Sequence, residues 1–245
     1  PIVETTIPWD VVEPLYPTEH TYKMGRGTWS WILWQDGSIN FDDQKKYVDL
    51  AAAMGYEYVL IDNWWDTNIG RERMKDFIDY AHSKNVDVFL WYSSSGYWND
   101  IVQGPTNYMD NPIIRKKEMK WLHNIGVKGI KVDFFGGDKQ ETMRLYEAIL
   151  SDADDNGLMV IFHGCTLPRG WENNIFAMKK HLMPVCIHLS ATPSVAWSLV
   201  AHSSTNASTA TMTAEAYARP LMYSNWQQPF YSKILFRILR WRLIT

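Results

Sequence analysis

The chain has 245 residues, long enough for one complete β/α barrel, and carries a formal net charge of −3 with a pI near 6.2. That balance leaves no basic footprint for nucleic acid, and no run of 18 apolar residues marks a membrane-spanning helix. Two cysteines, Cys165 and Cys186, are too few for a disulfide framework, and no charged-then-apolar signal peptide opens the chain at Pro1.

Pro1–His20 holds four prolines and reads as a linker. From Gly27 onward the pattern alternates. Gly27–Trp34, Tyr56–Asp62, Val86–Trp91, Lys128–Asp133 and Leu158–His163 are short apolar or aromatic runs of strand type. The segments that follow the first four, Phe41–Met54, Arg71–Asn85, Pro112–Ile125 and Lys139–Asn156, read as helices. Met74, Phe77, Ile78 and Ala81 show the three- and four-residue spacing of one buried helix face. Gly55, Gly126 and Gly157 stand just past three of these helices, where a left-handed glycine ends a helix. After Asp133, Gly136 and Gly137 allow a sharp turn, and Asp138 is placed to cap the next helix.

Strand and helix alternating at intervals of roughly 30 residues predict parallel β/α units. The fold class is therefore α/β, a (β/α)8 TIM barrel of which about five units are recognisable. No glycine-rich dinucleotide fingerprint follows the first strand, which argues against an open Rossmann sheet.

In such a barrel the C-terminal ends of the strands line the active site. Here they carry Trp29, Trp31 and Trp34, then Asp62-Asn63-Trp64-Trp65-Asp66, then Trp91-Tyr92 with Tyr97 and Trp98 beyond, then Asp133 and His163. Indole faces beside carboxylates suit a sugar, whose C–H groups stack while its hydroxyls hydrogen-bond. Each tryptophan taken alone also fits barrel packing. Asp62 reads equally as a sugar-hydroxyl acceptor or an N-cap, and Asp133 as a catalytic carboxylate or a turn residue. Lys131 precedes Asp133 by two and shares its strand face, either keeping Asp133 ionised or forming an interior salt bridge. His163 fits a substrate contact, a structural role or a metal ligand. An aldolase or metal-dependent hydrolase is disfavoured: no lysine stands alone in an apolar strand end, and no His-x-His or His-Glu-x-x-His spacing occurs.

Two blocks carry a family resemblance: Lys131-Val132-Asp133-Phe134-Phe135-Gly136-Gly137-Asp138-Lys139-Gln140 and Phe162-His163-Gly164-Cys165-Thr166-Leu167-Pro168-Arg169-Gly170-Trp171-Glu172. With Gly27–Trp31 and Tyr58–Asp62, they resemble the catalytic barrel of glycoside hydrolase family 97 over residues 22–172. The resemblance implies a calcium-dependent exo-acting α-glycosidase, periplasmic or secreted, acting on an oligosaccharide or α-galactoside. Calcium ligands are not identifiable in this chain. It also implies a β-sandwich domain ahead of the barrel, so that residues 1–21 would be the linker from it.

The family has retaining and inverting branches. Retaining, α-galactosidase-type members carry an aspartate nucleophile where Asp133 stands. Inverting, α-glucosidase-type members carry a base glutamate directly after the strand-five histidine, where this chain has Gly164. The resemblance thus assigns Asp133 as the nucleophile of a retaining α-galactosidase. Trp29, Trp31, Asp62, Trp64, Trp91, Lys131 and His163 are expected around the sugar. An α-glucosidase of the same family and a non-catalytic carbohydrate-binding relative are the alternatives.

Beyond Glu172 the resemblance stops, and the family's acid/base glutamate is missing. Residues 173–245 hold no Gly, no Asp and one acidic residue, Glu215, where ordinary usage predicts about five glycines. Codons for Tyr231–Arg237, read two bases later, can give FQNPVQN, and those for Lys180–His188 can give EAFNACLHP. Both strings resemble family barrel sequence in the right order. The expectation is that residues 173–245 are an out-of-frame tail, that this chain is by itself an inactive fragment, and that its barrel does not close.

Overall fold

The computed structural model describes residues 19–23, 25–96, 100–137 and 139–165, and the backbone of two short strands further on. Its centre is a sheet of five parallel strands: β1 (Arg26–Trp29), β2 (Tyr58–Ile61), β3 (Asp87–Ser93), β4 (Gly129–Asp133) and β5 (Met159–Phe162). They pair in chain order, as consecutive β/α units of a barrel must. Helices connect them: a single turn α1 (Trp31–Trp34) and α2 (Phe41–Met54) after β1, α3 (Arg71–Ser83) after β2, α4 (Pro112–Ile125) after β3 and α5 (Gln140–Asp154) after β4. Among the described residues no helix is long and apolar enough to cross a membrane.

Local chemistry explains the elements. Tyr58-Val59-Leu60-Ile61 is buried throughout, as expected of a parallel strand covered on both faces. Asn40 caps α2 by accepting from the Asp43 N–H at 2.9 Å, and Gly55 ends it at φ 66°. Asn111 caps α4 through the N–H groups of Ile113 and Ile114, with Pro112 in the first turn and Gly126 past the end at φ 91°. On α3 the stripe Met74, Phe77, Ile78 and Ala81 is fully buried.

Polar groups between layers are paired. Arg71 holds Glu118 through two bonds of 2.7 and 2.9 Å, and the Tyr92 hydroxyl donates to the same carboxylate at 2.6 Å. The guanidinium also lies 3.7 Å from the Trp121 ring centre, so α3, α4 and β3 share one network. Burial first, and then Glu118, push the Tyr92 phenol well above its ordinary range, so it stays a donor.

Gly129 opens β4 where no side chain fits. A Cβ there would overlap the Phe89 ring and stand 2.7 Å from the Met159 carbonyl oxygen. Gly129→Ala should therefore destabilise the protein by about 3 kcal/mol. Urea unfolding would show it as a lower midpoint at unchanged slope; an unchanged midpoint would mean that the sheet opens freely at this point.

Several boundaries differ from the sequence-based expectation. The first strand stops at Trp29 rather than Trp34. Its neighbour β2 pairs with it only as far as Trp29–Leu60, and the Ser30 carbonyl then accepts from Leu33 and Trp34 at 3.1 and 3.0 Å, starting α1. Trp34 leaves the strand and packs edge-on against Tyr47 of α2. Strand β3 runs two residues further than expected, because Ser93 still finds Asp133 opposite. Helix α3 ends at Ser83, since Asn85 turns left-handed at φ 58°. Lys139, not Asp138, occupies the cap position of α5 and makes no side-chain cap bond; Asp138 lies outside the described residues.

The linker and tail assignments fall almost wholly outside the described residues. Within the tail two short strands are present, β6 (Val185–Cys186), parallel to β5, and β7 (Ala196–Ser198), antiparallel to β1. Neither was expected of residues 173–245; β6 pairs along the open edge of β5 and β7 along that of β1. The order β6-β5-β4-β3-β2-β1-β7 is a half-barrel of five parallel strands with flanking additions. An antiparallel β7 does not continue the β/α pattern.

Candidate active site

Asp133 is the last residue of β4 and is buried. Its Oδ2 accepts from His163 Nδ1 at 2.8 Å and Trp91 Nε1 at 3.2 Å, and lies 3.5 Å from Lys131 Nζ. Its Oδ1 accepts from the Phe134 N–H at 2.8 Å. Burial works to raise the carboxyl's pKa. The His163 hydrogen bond, the Lys131 ammonium and the Phe134 amide outweigh burial and hold it below the usual carboxylate value. Asp133 is thus ionised at neutral pH, buried, and surrounded by donors.

Lys131 links this group to a second carboxylate. Its Nζ lies 2.9 Å from Asp62 Oδ2 and 4.2 Å from the centre of the Trp29 ring. Lys131 therefore forms an interior ion pair with Asp62 and also faces Asp133. Asp62 also accepts from Trp29 Nε1 at 2.6 Å and, through Oδ1, from the Asn63 N–H at 2.8 Å. An acceptor for three donors orients its neighbours; it is not placed as a proton donor. Trp29 in turn meets the His163 ring edge-on at 6.4 Å.

The structure brings Trp29, Asp62, Trp91, Lys131, Asp133 and His163 into one cluster. Trp31 lies one step outward, stacked on Trp29 at 6.1 Å, with Nε1 donating to Asp36 at 2.8 Å. Asn63 Nδ2 donates to the same Asp36 oxygen at 3.1 Å, which ties the ends of β1 and β2 together. Trp64 turns left-handed at φ 67°, and its N–H donates to the Gly104 carbonyl at 2.7 Å, so its backbone belongs to the neighbouring loop. Tyr97 and Trp98 lie outside the described residues.

Gly164 has φ 54°, and a Cβ there would stand 2.8 Å from Asp133 Oδ1 and 3.1 Å from the Phe134 nitrogen. A side chain at this position competes with Asp133 for the same space. Three participants escaped sequence reasoning: Asp36, Phe134 and Ser94. Only the Ser93-Ser94-Ser95 run, small and polar just past a strand, offered a signal of close packing there.

Among the described residues no three His, Cys, Asp or Glu side chains converge as a metal site. The two site carboxylates share a lysine, which supplies the positive charge a cation would bring. The cluster as described does not fit calcium.

A buried carboxylate held ionised at a strand end of a β/α half-barrel, ringed by indoles and an ammonium, has the character of a glycosidase nucleophile. Residues 21–175 match the family Glycoside hydrolase 97, well over half of the chain, and the protein belongs to that family. A retaining alpha-galactosidase from Bacteroides thetaiotaomicron is 31% identical over 165 residues, covering 60% of this chain and 22% of that protein. A Streptomyces bingchenggensis protein described as "Probable retaining alpha-galactosidase" is 29% identical over 161 residues, 60% of this chain and 23% of its own length. The chain thus spans less than a quarter of these relatives. A crystal structure of a beta-arabinopyranosidase is 78% identical, with a TM-score of 0.67, over 71% of this chain and 28% of that one.

Proposed function

We propose that this barrel belongs to a retaining exo-glycosidase that removes terminal sugars of α-galactosyl stereochemistry through a glycosyl-enzyme intermediate. The observation that carries the reading is Asp133, ionised at the end of β4 with Gly164 leaving no room for a base beside it. An Asp133 oxygen attacks the anomeric carbon as the glycosidic C–O bond breaks, and the leaving oxygen takes a proton from a carboxylic acid. Water then attacks the ester-linked sugar, gives its proton back to that carboxylate, and releases the sugar with its original configuration. Among the described residues Oδ2 carries His163, Trp91 and Lys131, whereas Oδ1 carries only the Phe134 amide, so Oδ1 is the freer nucleophile. The acid would stand roughly 5–5.5 Å from Asp133; the sequence offers no family glutamate for it before Glu172, so we place it in the family segment that follows that point.

The names of the relatives converge on one stereochemistry. A β-L-arabinopyranoside has the ring hydroxyls and anomeric geometry of an α-D-galactopyranoside and lacks only the hydroxymethyl group. The 78% identity makes the arabinopyranoside the first substrate to test, with the α-galactoside second. An α-glucoside is disfavoured, because the inverting base would have to occupy position 164. Calcium and an exported location are further proposals drawn from the family resemblance; no step runs through the metal.

The test compares two proteins: the 245-residue chain, and the product of its gene with the reading frame restored after Glu172. Both are assayed on aryl β-L-arabinopyranoside and α-D-galactopyranoside, and NMR follows the anomer first released. Turnover by the restored protein with the retained anomer is expected, and none by the 245-residue chain. An inverted product would end the retaining assignment. Sugar binding without turnover by the restored protein would favour a carbohydrate-binding relative.

A further inference from the structure

The residue after Asp133 is a bulky aromatic in a backbone conformation that suits glycine. Phe134 has φ 64°, which costs about 1–3 kcal/mol and persists only where the surroundings impose it. The surroundings are specific. The Ser94 N–H donates to the Asp133 carbonyl at 2.8 Å, and the Ser94 hydroxyl donates to the Phe134 carbonyl at 3.0 Å. From the other side the Phe135 N–H donates to the Gly164 carbonyl at 3.2 Å. Ser94 is buried, directly after the β3 residue that stands opposite Asp133. It therefore grips the carbonyls on both sides of the Phe134 Cα. The backbone bond alone would continue the strand pairing; the hydroxyl holds the turn.

We infer that Ser94 is a positioning residue for the nucleophile: its hydroxyl locks Phe134 in the left-handed conformation that delivers the Phe134 N–H to Asp133 Oδ1. With the flanking chain held, a negative φ would require the Asp133–Phe134 peptide plane to flip, which would carry the Asp133 carbonyl off the Ser94 N–H and the Phe134 N–H away from Oδ1, the one donor that fixes that oxygen among the described residues. The carboxylate would then be held through Oδ2 alone and be free to rotate. Among the described residues the charged and titratable groups facing Asp133 are Lys131 on its own strand, His163 past β5, and Asp62 through Lys131; Trp91 adds a neutral donor from β3. None of these replaces a bond to Oδ1. The catalytic consequence rests on the glycosidase reading; the geometry does not.

The test separates the two. Carboxyl-carbon NMR follows the titration of Asp133 in the full chain, for the parent, Ser94→Ala, Ser94→Thr, Phe134→Gly and the double variant Ser94→Ala/Phe134→Gly. Ser94→Ala should raise the Asp133 midpoint by roughly one pH unit, since a hydrogen bond to the charged form is lost. Ser94→Thr keeps the hydroxyl and should titrate as the parent does. Glycine adopts positive φ without strain, so the double variant should return close to the parental midpoint. It also relieves the strain that could unfold Ser94→Ala, so it can be measured even where the single variant cannot. In the frame-restored protein Ser94→Ala should lower kcat about tenfold with KM little changed, a cost of about 1.4 kcal/mol in the transition state. A parental midpoint in Ser94→Ala, or a raised midpoint in the double variant, would overturn the inference. Midpoints that behave as expected in a protein that hydrolyses neither glycoside would leave Ser94's role standing and remove the glycosidase reading.

Discussion

On the proposed reading, Asp133→Ala in a protein with the frame after Glu172 and the flanking domains restored should lower turnover on an aryl glycoside by a factor on the order of 10⁴, the scale seen when a nucleophile is deleted from a catalytic unit. Azide should restore part of the rate and yield a glycosyl azide of inverted configuration, because the small anion enters the space the carboxylate leaves. The substitution removes the carboxylate alone and leaves His163, Trp91 and Lys131 in place around the vacated position. Near-parental turnover in Asp133→Ala would show that the nucleophile lies elsewhere.

The second large effect is on stability. Lys131 is buried between Asp62 and Asp133, and Lys131→Met fills similar volume while removing the charge. Two buried carboxylates then lack their cation, which should cost about 3–5 kcal/mol near pH 7. The pH dependence follows from the direction of the Asp133 shift. Its folded value lies below the unfolded one, so its contribution to stability is present above the unfolded value and lost as pH falls through the folded value. Removing Lys131 takes away one of the groups that oppose burial and hold that value down, so the contribution at neutral pH shrinks. At low pH the parent also loses it, as Asp133 takes up a proton. The difference between parent and Lys131→Met should therefore be largest near pH 7 and shrink below pH 4. Urea unfolding at the two pH values measures it; an equal difference at both would mean that packing, not charge, holds the lysine in place.

Much of this architecture was legible in the sequence where an element carries its own ends. Helices α2 and α4 match their expected limits because Asn40 with Gly55, and Asn111-Pro112 with Gly126, write start and stop locally. The first strand was overread because Trp31 and Trp34 have strand character, while the stop comes from β2, a partner distant in sequence. In the site, alternation along β4 was enough to place Lys131 beside Asp133, and the strand-end rule brought in Asp62 and His163. What Asp62 does was not legible, since its three donors come from β1, β4 and its own following amide. The Phe134 turn was still less so: an aromatic residue is a poor candidate for positive φ, and only Ser94 and Gly164, on neighbouring strand ends, explain it.

Gly164 sets the terms on which such an enzyme could change its stereochemical outcome by descent. On the proposed reading a glutamate there would have to displace the Asp133 carboxylate, since its Cβ would stand 2.8 Å from Oδ1 on a backbone with φ 54°. A lineage moving from retention to inversion would first have to give up the carboxylate on β4, and one moving back would have to give up the base on β5. Either route passes through a form with neither group in place. On the retaining reading proposed above, a form lacking both groups would separate the two stereochemical outcomes, and Gly164 stands at the position where they part.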